Sequence, residues 1–135
     1  MDFASESAVA QGMVLASLIG GIALACIAQL VSAFPNRDET SGGDRVTAAI
    51  TRLALAATVM MINVWSGIIF FMDDGADRNA IAAVFYGGLL IGVLFFAVAM
   101  AEMVAIRAPR QRRPMLILFG SLIAVEVVLG AAFLI

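Results

Sequence analysis

Glu126 is the only charged side chain in the last apolar run of the chain, residues 114–135. About 22 residues rise about 33 Å as a helix, enough to cross the hydrocarbon core of a bilayer. A carboxyl partway along such a span is costly, so it calls for a partner or for work on protons or ions. Asn63 stands at a matching depth in the second apolar run, roughly nine residues and about 14 Å from its outer end. If those two helices are neighbours, the Asn63 amide can donate to the Glu126 carboxyl. The pair then reads either as a hydrogen bond joining helices or subunits, or as a protonatable site for coupled transport.

A second polar layer lies nearer the opposite ends. Gln29, Arg52 and Glu102 each stand one to two turns inside their runs, roughly 6–9 Å by helical rise. Arg52 and Glu102 belong to consecutive runs at similar depth, which places an ion pair within reach. Pairing lowers the cost of both charges, and arginine can also extend its head toward the interface. Trp65 and Tyr86 share a depth as well, about seven residues from the outer ends, and suggest an aromatic pocket for a quinone, a carotenoid or a lipophilic cation. Ordinary packing or lipid contact competes with that reading.

Four apolar runs must position these groups: residues 8–34, 46–72, 79–106 and 114–135. Each exceeds the roughly 18–20 residues a membrane helix needs, and none alternates as a membrane strand would. The expected architecture is an all-α integral membrane protein, a single domain made of a four-transmembrane-helix bundle. Short polar connections join the runs, with Asp44 and Asp77 as candidate caps and Pro114 suited to the first position of the last helix. Ala28–Val31 resembles Ala101–Val104, and Asn63–Gly67 resembles Glu126–Gly130, a weak parallel repeat of two helical hairpins. Small residues recur every fourth position: Gly12, Ala16 and Gly20; Ser17, Gly21 and Ala25; Gly88 and Gly92. Such stripes let helices approach closely where lipid supplies no hydrophobic drive.

The composition agrees with membrane residence. Hydrophobic residues make up 63% and charged residues 13%, against about 45–50% and about 25% in a soluble domain. All eight basic residues are arginine. With the amino terminus outside, the inner connections hold Arg37, Arg45, Arg107, Arg110, Arg112 and Arg113, while the outer side holds Arg78 beside Asp73, Asp74 and Asp77. That asymmetry places both termini on the non-cytoplasmic side of a plasma (bacterial inner) membrane.

Histidine is absent and Cys26 is the single cysteine. The usual haem ligand, a Cys-x-x-Cys redox pair and most zinc or copper sites are therefore missing. No metal-ligand cluster, phosphate-cradling loop or nucleophile elbow is visible, so no directly bound cofactor is expected and a membrane enzyme ranks third among the readings. With basic residues massed only in one short loop, no nucleic-acid partner is expected. The expected partners are the lipid bilayer and other membrane subunits or further copies of the chain. The expected role is a non-catalytic accessory or structural subunit of a larger membrane complex, whether respiratory, photosynthetic or transport. The alternative is a small oligomeric proton-coupled transporter or channel that uses Glu126.

Overall fold

The computed structural model describes residues 5–34 and 43–134, the side chains at 43, 44, 107 and 130–134 excepted. They form four α-helices: α1 (Glu6–Ala33), α2 (Gly43–Met72), α3 (Arg78–Arg107) and α4 (Arg112–Leu134). A single 3-10 turn, Pro109–Gln111, joins α3 to α4. Three helices, over Glu6–Ala33, Arg45–Met72 and Arg78–Ile106, are long and apolar enough to cross a membrane. α4 is shorter, at 23 residues, and carries three charged side chains, Arg112, Arg113 and Glu126. Much of the connection between α1 and α2, including Arg37, lies outside the described residues.

Local chemistry accounts for the helix ends. Ser5 caps α1 by accepting from the Ala8 N–H at 3.2 Å, and Glu6 in the first turn suits the positive end of the helix dipole. Asp77 occupies the position before α3, yet its side chain makes no capping bond. Its backbone, at φ −85° and ψ 0°, lacks the extended shape that swings a capping oxygen over the first turn. Asp73 instead tightens the turn, accepting from the Gly75 N–H at 3.2 Å. Pro114 is the third residue of α4, not the first, because the helix already begins at Arg112. It fits there at no cost, since the N–H groups of the first turn have no intrahelical acceptor.

Helices α1, α2 and α3 form one packed unit, in which α2 lies between the other two in the chain and shares most of its contact with α3. At the arginine-rich end, Ala23, Leu30, Val46, Ala49, Leu53 and Ala99 are buried together. At the opposite end the core is Val9, Phe70, Ala82 and Phe85. Glycines set the spacing between these clusters. The rim of the Phe85 ring lies where a Cβ on Gly12 would stand, 2.6 Å away, so α1 and α3 can close only around glycine. Gly88 and Gly92 of α3 likewise receive Asn63 and Met60 of α2. The stripe of Ser17, Gly21 and Ala25 is not used in this way; all three are exposed.

Several hydroxyls on the helix surfaces donate back to their own helices. Ser17 reaches the Met13 carbonyl at 2.9 Å, Thr58 the Ala54 carbonyl at 2.8 Å and Ser66 the Ile62 carbonyl at 3.1 Å. Each donor is thereby satisfied without water, as a lipid-facing helix requires.

Candidate functional site

The Arg52–Glu102 pair has a third member. Glu102 Oε1 accepts from Arg52 Nη1 at 2.7 Å and from Arg112 Nε at 2.8 Å, with the charged Arg112 Nη2 also 2.8 Å away. The carboxylate side chain is only 6% exposed, while the arginines keep 33% and 39% of theirs. One oxygen thus ties α2, α3 and α4 together, and the arginine stems reach outward from it. Two guanidiniums against one carboxylate leave a surplus of positive charge. Such a constellation holds helices; it carries no nucleophile and no proton shuttle.

Depth along the apolar runs does not single out Arg112, because it lies in the basic connection. Glu102 and Arg112 are each five residues from Arg107, so a tight reversal after Arg107 brings them level. That symmetry about the turn is the signal the sequence carries for Arg112. Gln29, expected in the same layer, is exposed on α1 and makes no part of the triad. The opposite end has a looser counterpart: Arg78 Nη2 meets Glu6 Oε1 at 2.8 Å, and its guanidinium lies 4.4 Å above the centre of the Phe70 ring.

Asn63 and Glu126 do not meet. Asn63 is 2% exposed and packed against Gly88, between α2 and α3. Its Nδ2 is buried without an acceptor among the described residues. Glu126 is exposed on α4. Among the described residues α4 touches no helix but α3. Equal depth was correctly a condition for pairing, but α3 stands where the pairing needed α2.

The contact of α4 with α3 also ends early. Arg112, Met115, Leu116, Phe119 and Ile123 are partly covered, at helical spacing, and every described residue from Ala124 to Leu129 is exposed. Glu126 is the next polar position on nearly the same face as Phe119 and Arg112, just past the point where cover stops.

Trp65 and Tyr86 are likewise apart. Asn63 faces α3, and Trp65, two residues on, points about 200° round the helix from it. Trp65 is 62% exposed and lines a groove between α1 and α2. Tyr86 packs on the other side of the unit, edge-on to Phe85 with ring centres 5.3 Å apart, beside the Val9–Phe70 cluster. No shared aromatic pocket forms. The groove itself is open, about 810 Å³ and mostly apolar, floored by Gly20, Gly21, Ala54 and Ala57.

Among the described residues no three histidine, cysteine, aspartate or glutamate side chains gather closely enough to hold a metal ion. The class defined by these features is an all-helical protein with three helices able to cross a membrane, clamped at one end by an Arg–Glu–Arg triad. No family model, no curated protein and no solved structure matches the chain.

Proposed function

We propose that the chain is a non-catalytic structural subunit of a larger membrane assembly, of the respiratory, photosynthetic or transport kind. The observation that supports this reading is the state of α4. It is a long apolar helix, covered on one face over half its length, with a carboxyl left bare where a bilayer would place hydrocarbon. On insertion scales an acidic residue at that depth costs about 2.5–3.5 kcal/mol. A protein partner that covers α4 and donates to Glu126 offsets that cost.

In this reading α4 is the fourth span, and the chain is two out–in–out hairpins with both termini on the non-cytoplasmic side of a bacterial inner membrane. The triad then marks the cytoplasmic edge, where Arg110 and Arg113 are also exposed. Quinone, carotenoid or lipid contact falls to the exposed apolar faces, since among the described residues Trp65 and Tyr86 enclose no shared site.

The second reading, an oligomeric proton-coupled transporter or channel, draws on the same exposed Glu126. Gentle extraction followed by mass determination separates the two. A stoichiometric complex with unrelated chains is the expected result. A pure homo-oligomer in which Glu126→Gln abolishes ion or solute flux would replace the subunit reading with transport.

A further inference from the structure

The groove between α1 and α2 and the bare face of α4 are complementary in level, polarity and direction. Arg52 and Arg112 bind the same carboxylate oxygen, which fixes a common level for α2 and α4. Counted from there, Trp65 lies about 20 Å along α2 and Glu126 about 21 Å along α4. The two residues therefore stand at the same depth. The groove's lining is apolar apart from Ser17, Thr58 and Trp65. The hydroxyls of Ser17 and Thr58 already donate to the carbonyls of Met13 and Ala54. The Trp65 indole N–H is left as the groove's uncommitted side-chain donor. α4 offers the converse, an apolar surface broken above its first turn by Ser121 and by one strong acceptor, Glu126.

The chain's own α4 is held away from the groove, because Arg112 anchors it to Glu102 and it lies against α3. A second copy in the same membrane orientation has no such restriction. Its α4 runs in the same sense as α2 and keeps its depth. We propose that the α1–α2 groove receives α4 of a second copy of this chain, the Trp65 N–H donating to Glu126 of that copy. This deepens the subunit reading on which it rests: the assembly holds the chain in more than one copy. Donor surface and groove are different faces, so the contact is heterologous and repeats around an axis along the membrane normal, closing as a ring if the rotation allows. Small residues on the groove floor permit the close approach that helix association in lipid needs.

Cysteine cross-linking in native membranes tests it. In a Cys26→Ala background, one tagged copy carries Met61→Cys, in the groove, and a differently tagged copy carries Leu122→Cys. A parallel pair combines Leu122→Cys with Ile91→Cys, which lies at similar depth on the exposed face of α3. Copper-phenanthroline oxidation should join the 61 and 122 copies at least about tenfold more than the 91 and 122 copies. Trp65→Phe, which removes the N–H, should lower the 61–122 yield several-fold. A Met60→Cys, Gly92→Cys double variant within one chain reports that oxidation reaches this depth, since these two positions touch. With that control positive, absence of the 61–122 product, or a dominant 91–122 product, overturns the proposal. Its fate is separable from that of the subunit reading. A complex with unrelated chains and a single copy of this one defeats the self-contact alone, while a pure ring of this chain defeats the subunit reading alone.

Discussion

Glu102 and Glu126 are the same residue on consecutive helices, both within apolar sequence, and their surroundings are opposite. Glu102 is nearly buried and held by two arginines from two other helices. Glu126 is exposed on a helix that has already parted from its neighbour. The difference follows from position relative to a turn. Near the short 3-10 connection, α3 and α4 are forced together, and residues equidistant from the reversal meet. Three to four turns along α4 that constraint has faded, and only side-chain packing could keep the helices closed. α4 presents Gly120, Ser121 and Ala124 there and α3 presents Gly87, all exposed, and neither glycine has a neighbour within 4 Å of where a Cβ would stand. The α2–α3 interface shows what is missing, with Asn63 and Met60 seated on Gly88 and Gly92. A charge satisfied within the chain marks internal architecture, and one left bare marks a surface waiting for cover.

The sharpest way to break the comparison is to make Glu102 as unpartnered as Glu126, by removing what it binds or removing Glu102 itself. Glu102→Ala strands two guanidiniums and unlocks α4 from α2 and α3. Loss of one partner of a buried pair costs about 3–5 kcal/mol. Because both arginines can still reach the interface, the loss should fall near the lower end of that range. Unfolding midpoints in mild detergent read the stability. Proteolysis between Ala108 and Gln111 should accelerate in parallel as α4 comes loose. Glu102→Gln keeps one carbonyl acceptor and should recover part of the loss.

Next in size are the glycines. Gly88→Ala drives a methyl into the Asn63 side chain in a closed interface, and overpacking of this kind costs about 1–3 kcal/mol. Gly87→Ala, one residue earlier, meets nothing within 4 Å. It should leave the packing untouched and stabilise by about 0.5–1 kcal/mol, as alanine does over glycine within a helix. Equal effects at the two positions would mean that the α2–α3 contact is not the tight one.

The same contrast explains what could be read from the chain before folding it. Long uninterrupted apolar runs specify helices strongly, and all four helix bounds fall within three residues of the expected ones. Depth is a second legible coordinate, since it is only a count of residues from a helix end. Arg52 and Glu102 meet because consecutive antiparallel helices are neighbours and both side chains are long. Two other coordinates carry no such count. The order of helices around the bundle decides whether Asn63 can see Glu126, and depth is silent on it. Rotation about each helix axis decides whether Trp65 can see Tyr86. Here a cue existed: Asn63 and Trp65 are about 200° apart, as are Tyr86 and Gly88, so a pair formed by Asn63 and Gly88 turns both aromatics away. That cue needs the Asn63–Gly88 contact as its starting point, and low amphipathicity around membrane helices hides which face is inward.

A smaller effect is expected at the aspartate-rich end, where Arg78 and Glu6 form the counterpart of the triad. The Glu6 side chain is 67% exposed, so Glu6→Gln should cost less than about 1 kcal/mol. The effect should shrink further in high salt. A loss as large as that of Glu102→Ala would show that the two clamps are equivalent, which their exposure contradicts.

Glu126→Leu should have the least effect on the folded chain by itself, and that is its diagnostic value. No described group of the chain binds the carboxyl, and the side chain projects from an uncovered stretch of helix, so its removal strands no donor and opens no cavity. The unfolding midpoint of the isolated chain should move by no more than the scatter of surface substitutions, about 0.5 kcal/mol. Association should respond instead. Replacing the acceptor leaves whatever donor covers it unpaired in a dry interface, a penalty of about 1–3 kcal/mol, or roughly 5- to 150-fold in affinity. Sedimentation or native mass measurements on the extracted assembly read that change. A variant that loses monomer stability but keeps its assembly would reverse the roles assigned to the two glutamates, making Glu126 an internal brace whose partner lies within the chain.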